Sequence, residues 1–339
     1  MNMERQQYLF FNDLKSLCEQ AKKARSKCLC PNCSANAIYS HVFSHKHILQ
    51  PICPASKIYL FEARDLIFIS QEDMLHYKLR GLNKAFGFHG FCNKHDNEIF
   101  ADIEPSIGYV NWHSIRNQYL LSYRSLCREI YINRTIHDIL KHLLFYSTSN
   151  VPNHASCIRH MLARFNAIFA NLSEYKIFLE KGVFHQDYSD VSFHCIELPF
   201  QLDLCISAPF PVDDGRGPCF NHDFQELYLV NVFPYYGKTI IIIGYSEVFR
   251  NEWMKNIIPL FSSPYPHIVS KAFTELMYRV EFNAIGPNLF SKLDKELIEC
   301  YYRTFREEAD NYGMNIDTII SSLLYDPLNE IMPDTWKTL

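Results

Sequence analysis

The sequence predicts an α+β protein in three parts, and three observations carry that prediction. Two short clusters of metal-binding side chains stand far apart in the N-terminal third. Apolar residues recur at helical spacing through the middle of the chain. After about residue 190 the pattern changes to strand-like alternation. The expected division is 1–110 for a zinc-binding module with an N-terminal helix, 111–185 for a helical region, and 186–339 for an α+β domain whose sheet contains a β-hairpin. A chain of 339 residues is longer than one core usually serves. With 48% hydrophobic and 15% aromatic residues it has ample surface to bury, which excludes disorder of the whole chain.

Residues 1–27 read as an amphipathic helix with Phe10, Phe11, Leu14 and Leu17 on one face. Lys22, Lys23, Arg25 and Lys27 form its basic end, either a solvated terminus or a patch that touches phosphate. Residues 37–43, 58–63 and 66–69 are rich in β-branched and aromatic side chains and predict strands. Residues 95–103 predict a helix with Ile99, Phe100 and Ile103 as its apolar face, closed by Pro105. In the middle region, Tyr119, Leu120, Tyr123, Leu126 and Cys127 repeat at helical spacing. So do Ile136, Ile139, Leu140, Leu143 and Leu144, and a polar break at 147–153 separates two long helices.

Beyond residue 190, two strands are expected around Pro199 within 192–207. Residues 227–233 and 239–243 predict a hairpin with a five-residue loop, Pro234 to Lys238. The almost unbroken apolar run 239–244 implies a strand covered on both faces, and it is far too short to cross a bilayer. From Phe249 onward the pattern returns to helices.

Several function classes fall away. Glycine is scarce at 11 residues, and neither a P-loop nor a dinucleotide-binding glycine pattern occurs. A formal net charge of -4 excludes a strongly basic nucleic-acid binder as a global description, though not a local basic face. No apolar signal segment opens the chain, so its 12 cysteines suit a reducing cytoplasm better than a disulfide framework. Cys127, Cys157, Cys195, Cys205 and Cys300 then read as small buried residues. No membrane association is expected, and the sequence does not reveal the oligomeric state.

The sharpest chemistry lies in the N-terminal clusters. Cys28, Cys30 and Cys33 form the first, and Cys92 with His95 the second. Thiolate and imidazole suit Zn2+, and four such ligands from two short pairs build a structural site. Cys30 and Cys33 have the usual knuckle spacing. Cys28 and Cys33 would serve with a wider loop, and spacing alone leaves the choice open. The alternative is that all are merely buried thiols. His41 lies between the pairs, and this order of knuckle, isolated histidine and ligand-bearing helix start is the skeleton of a treble-clef or HNH-type module. Such a module predicts a metal-dependent nuclease. His41 would be the general base and Asp96 would lie at the helix start. A separate Mg2+ or Mn2+ would be held by acidic or imidazole groups drawn from His45, His47, Glu98, Asp102 and Glu104. One departure counts against it: Ser40 precedes His41, where an acidic or histidine ligand is usual.

The pattern Cys28-x4-Cys33, Ser40-His41, Gly90-Phe91-Cys92-Asn93-Lys94-His95-Asp96, Phe100 and Ile103-Glu104, followed by Tyr123-Arg124 and Glu129, resembles a family of mostly uncharacterised bacterial proteins with an HNH-like zinc-finger start. The resemblance covers roughly the first 130 residues. It implies Cys28 rather than Cys30 as ligand, marks His41, Asp96 and Glu104 as the catalytic positions, and carries a suspected role in defence against phage or mobile DNA. Arg124 and Arg128 share a helix face and would either grip a phosphate or pair with Glu104 or Glu129. In the second half, residues 213–217 and 221–223 read as polar turns more than cation sites. Two functions are therefore expected in turn. The first is an HNH-like nuclease acting on DNA or RNA. The second is a non-enzymatic, zinc-stabilised component that binds nucleic acid or a protein partner from the same operon.

Overall fold

The structure, a computed structural model, describes residues 26–53, 55–62, 77–150, 152–211, 226–248, 252–280 and 282–296, together with 298, 299 and 302. The basic helix expected over 1–27, except its last two residues, the strand expected over 66–69 and the polar turns at 213–217 and 221–223 lie outside them.

The fold is α+β. Strand β1 (Tyr39–His41) pairs antiparallel with β4 (Gly87–His89) in a small ribbon. The main sheet has seven strands in the order β3 (Lys78–Gly81), β2 (Lys57–Glu62), β9 (Phe282–Ile285), β6 (Leu204–Pro211), β7 (Leu227–Tyr235), β8 (Lys238–Tyr245) and β5 (Ser192–Leu198). Every neighbouring pair in it is antiparallel.

The apolar strands behave as their sequence requires. Successive side chains on a strand point to opposite faces. In β7 and β8, Leu227, Leu229, Phe233, Ile240 and Ile242 enter one core, whereas Tyr228, Val230, Val232, Ile241 and Ile243 enter the other. The first core lies under two long helices, α2 (Ile115–Asn150) and α3 (Pro152–His185). Pro152 disfavours a helical conformation at the residue before it and sits well as the first helical residue, so the chain turns there. Tyr119 near the start of α2 meets Gly182 near the end of α3, so the two run antiparallel. The second core lies under α4 (Glu252–Phe261), α5 (Pro266–Arg279) and the short α6 (Pro287–Phe290).

One polar layer interrupts the first core. Asn231 on β7 faces α2, where its amide donates to Ser122 Oγ at 3.3 Å. Ser207 Oγ of β6 lies 2.8 Å from both Asn231 Oδ1 and Ser125 Oγ. Buried polar groups of this kind must be matched across an interface, so they fix how α2 sits on the sheet.

The structure corrects several expectations. The strand expected over 37–43 is ordered as a ladder only at Tyr39–His41; on its flanks Ala37 N–H bonds to Ser26 O, Ile38 N–H to Phe91 O and Val42 N–H to Phe86 O. The helix expected from 95 starts earlier, as α1 (Asn93–Ile99), and gives way to a separate turn at Ala101–Ile103. The hairpin loop has two residues, not five, since Pro234 still pairs with Thr239 and Tyr235 with Lys238. Tyr236 and Gly237 have φ of 48° and 79°, the left-handed pair that a two-residue hairpin turn demands. The C-terminal region is not purely helical: β9 enters the middle of the sheet and pairs with β2 and β6. A four-residue strand has too few alternations to stand out from helical sequence on either side. Through β9, strands from the first 110 residues join the sheet of the last 154, so that sheet crosses both expected boundaries. No helix among the described residues is long and apolar enough to cross a membrane.

Candidate metal centre

The first cluster is a turn held by its own backbone. Cys28 N–H bonds to Ala35 O at 2.9 Å, Ala37 N–H to Ser26 O at 2.8 Å and Cys33 N–H to Cys30 O at 3.2 Å. Asn32 takes the left-handed conformation with φ 59°, which asparagine tolerates better than most residues. The knuckle is joined to the second cluster by Leu29 N–H to Gly90 O and Ile38 N–H to Phe91 O, both at 2.7 Å. The ribbon continues those bonds, with Tyr39 opposite His89. Cys92 then caps α1, whose first turn carries His95.

These constraints bring Cys28, Cys33, Cys92 and His95 together, with all four ligand atoms within 4.8 Å of one another. Cys28 Sγ and Cys92 Sγ each lie 3.4 Å from His95 Nδ1, and Cys33 Sγ lies 4.0 Å from Cys92 Sγ. A tetrahedral zinc with ordinary bond lengths needs edges of about 3.8 Å between sulfurs and about 3.5 Å between sulfur and nitrogen. The donor set and its spacing therefore fit one zinc ion with four protein ligands and no open position, the arrangement of a structural site. Burial pushes the Cys28 thiol up to about 11, with hydrogen bonds from the Cys92 and Cys30 backbones opposing. Cys92 goes the other way, lowered first by the His95 backbone N–H at the helix start. A divalent ion would take all three sulfurs as thiolates and release their protons.

Of the two alternatives for the knuckle, Cys28 joins the group and Cys30 does not. Cys30 is buried and offers its carbonyl to the turn, and its thiol is pushed up by burial, with Cys33 and Glu180 acting in the same sense.

Several polar side chains lie beside this centre. His41, at the end of β1, has Nε2 3.1 Å from Asn83 O. A carbonyl only accepts, so Nε2 carries the hydrogen and Nδ1 keeps its lone pair. Burial pushes the imidazole down to about 4, the Asn83 carbonyl opposing. The His45 ring lies against it, centroids 4.2 Å apart. His45 is likewise lowered by burial and has a buried Nε2 with no partner. Asp96 and Glu104 come together around Arg124. The guanidinium, 2% exposed, lies 3.0 Å from Asp96 Oδ1 and 2.8 Å from Glu104 Oε1. It also stacks 4.6 Å over the Phe100 ring.

Of the expected catalytic positions, Asp96 and Glu104 are brought together and engaged by Arg124, whereas no contact joins His41 to either carboxylate among the described residues. Arg124 takes the ion-pair role anticipated for it. Its ion-pair partners are Asp96 and Glu104, while Glu129 accepts from Asn133 at 2.9 Å. Among the other candidates, Asp102 pairs with Arg116 at 2.6 Å, Glu98 is exposed, and His47 has no place in the cluster. His45, like His47, falls outside the residues that carry the family resemblance. Its signal was its distance of four residues from His41, which a strand followed directly by a helical turn (His45–Leu49) can fold back into contact. Comparison of the chain with protein families, with curated proteins and with solved structures returned no match.

Proposed function

We propose that the chain is a metal-dependent nuclease built on a treble-clef, HNH-like zinc module, with His41 at the reacting centre. The order of knuckle, two-stranded ribbon and ligand-bearing helix start supports the module. The observation that carries the function is His41 itself, a neutral imidazole fixed in one tautomer by Asn83 O at 3.1 Å, with Nδ1 left to accept a proton from water. Because its basicity is low, His41 alone would be a weak base. A divalent cation would supply the charge stabilisation that a phosphodiester displacement needs. Asp96 and Glu104 act first by holding Arg124, and through it α2, against α1 and the turn that follows it. Cys28, Cys33, Cys92 and His95 would hold a zinc ion that keeps the ribbon and helix in place and takes no part in chemistry.

The test is cleavage of plasmid DNA and of RNA by the purified full chain with Mg2+ or Mn2+. His41→Ala should retain its zinc and lose cleavage. Full activity in that variant would sink the mechanism.

A second reading is a non-enzymatic, zinc-stabilised component that binds nucleic acid or protein. Two observations favour it. Ser40 is buried with an unpartnered Oγ where a cation ligand would be expected, and Arg124 already occupies both carboxylates. A stoichiometric complex without cleavage would select it.

A further inference from the structure

We infer that Tyr109, Tyr236 and Lys46 form a landing site for single-stranded nucleic acid, with bases on the two rings and a phosphate on the lysine. This deepens the nuclease reading by naming its substrate class, and rests on that reading only for what happens to the strand at His41; the binding itself stands apart. Three observations carry it.

First, two large rings are displayed rather than buried. Tyr109 is 75% exposed and Tyr236 53%, and Ile107 in the same loop as Tyr109 is 89% exposed. The two tyrosine rings lie together, centroids 4.3 Å apart and tilted by 53°. Tyr235 Oη accepts from the Val110 N–H at 2.7 Å and so pins the loop that carries Tyr109 to the tip of the β7–β8 hairpin. Aromatic faces held in place before a ligand arrives suit base stacking, because every base presents a π-face. Second, Tyr236 is a poor choice for stability. It takes the first position of the two-residue hairpin turn with φ 48°, where glycine, asparagine or aspartate fits without strain. A bulky residue held in that conformation marks a position where the side chain is used. Third, the cation beside the pair is unmatched. Lys46 Nζ lies 3.5 Å from Ser106 O, in the same loop as Tyr109, and has no carboxylate partner among the described residues. Lys238, two residues after Tyr236, is by contrast paired with Glu197. An unmatched ammonium beside exposed rings suits a chain that alternates phosphates with flat bases.

The site lies on the way to His41. Lys46 follows His45, whose ring is 4.2 Å from that of His41, and His41 in turn bonds to Asn83 O, next to Lys84. Lys84 is exposed and also lacks an acidic partner among the described residues. A strand seated on the tyrosines with a phosphate on Lys46 is directed toward His41 and Lys84. A duplex hides the faces of its bases in its own stack, so the rings select unpaired segments. Stacking and phosphate contact are common to DNA and RNA strands, and the test separates the two.

The experiment measures fluorescence anisotropy of labelled oligothymidylate, oligouridylate and a DNA duplex, each about twelve nucleotides long, with the full chain and without Mg2+ or Mn2+, so that nothing is cleaved. At least one single strand should bind about tenfold more tightly than the duplex, and the better of the two assigns DNA or RNA. Tyr109→Ala and Tyr236→Asn should each weaken that binding about tenfold, whereas Tyr109→Phe should retain it. Tyr236→Asn should at the same time raise the melting temperature, since asparagine fits the turn; a ring kept only for structure would give the opposite. Lys46→Gln should lower the slope of log affinity against log salt by about 0.7. No binding of either single strand, a duplex bound as tightly, or parent affinity in Tyr109→Ala or Tyr236→Asn overturns the proposal. A concentration-dependent dimer that Tyr236→Asn disperses, with no oligonucleotide bound, overturns it too and gives the patch to a second copy of the chain. Binding that meets these expectations in a chain that cleaves nothing once Mg2+ or Mn2+ is added would leave the site standing and remove the nuclease.

Discussion

Replacing Arg124 with methionine tests the ion-pair cluster directly. The methionine stem can refill most of the space over Phe100, so the change removes charge more than volume. Removing one partner of a buried ion pair generally costs about 3–5 kcal/mol, because the other charge is stranded. Here the stranded groups are Asp96 and Glu104, whose side chains are 14% and 34% exposed. Both can recover some hydration, so the expected loss is at the low end, about 3 kcal/mol. Lysine presents one compact ammonium and cannot fork to both carboxylates, so Arg124→Lys should lose about half of that. The assay is urea unfolding of the zinc-loaded chain, reading the midpoint at unchanged slope. Adding Asp96→Asn to Arg124→Met removes one stranded charge, so the double variant should cost less than the sum of the singles by about 1 kcal/mol. If Arg124→Met fell within about 0.5 kcal/mol of the parent, the range of an ordinary surface change, the claim that this arginine organises the cluster would be refuted.

Further outcomes follow from individual residues. Cys30→Ser should keep one zinc per chain by elemental analysis, whereas Cys28→Ser, Cys33→Ser and His95→Ala should lose it or bind it far more weakly; zinc loss in Cys30→Ser alone would reassign the knuckle. Gly182→Ala gains roughly 1 kcal/mol of helix propensity, but the added Cβ would sit 2.3 Å from the ring of Tyr119, whose hydroxyl is bonded to Val191 O. That ring cannot yield easily, so overpacking of about 1–3 kcal/mol outweighs the gain and a melting scan should show net destabilisation. His41 has a folded pKa of about 4 against about 6.5 in an unfolded chain, so acid protonates the unfolded state first. Its contribution leaves stability unaffected above pH 6.5 and lowers it as pH falls from there to about 4, by at most about 3 kcal/mol. The difference between parent and His41→Gln across that window isolates it from acid loss of zinc, and a pH-independent difference would refute it.

The chemistry-bearing residues were more legible in the sequence than the architecture. Cys28, Cys33, Cys92 and His95 could be read because metal ligands come as short local pairs, and a pair three or five residues apart is visible without any tertiary knowledge. The β7–β8 hairpin was legible for a similar reason, since strands covered on both faces leave an apolar run. Its turn length was not, because Pro234 suggests a break while its carbonyl side still pairs. Strand β9 stayed hidden among helices, and spacing alone left Cys28 and Cys30 open, the family resemblance alone favouring Cys28. The pairing of Arg124 with Glu104 was among the readings the sequence offered, but that Asp96 shares the same guanidinium could not be read, as it joins residues on three separate elements.

Helix α2 makes the metal centre and the sheet one unit, and this has a measurable consequence. Arg124 grips Asp96, in the same turn of α1 that supplies His95, while Ser122 and Ser125 on the same stretch of α2 bond to Asn231 and Ser207 in the sheet. The first core likewise runs without a break from Cys28, Phe91 and Cys92 through Tyr123 and Leu126 to Leu229 and Ile242. A local zinc finger would open alone when stripped of metal. If the cysteine centre holds zinc, its loss would remove binding energy from the whole folded state, so every segment that unfolds with it would lose the same increment. Hydrogen exchange of the amides at 240–243, in the middle of β8 and far from the cysteines in sequence, should therefore accelerate when a chelator removes the zinc. If those amides kept their full protection while the residues around Cys28 and Cys92 exchanged freely, the knuckle would be an independent unit and the coupling through α2 would be wrong.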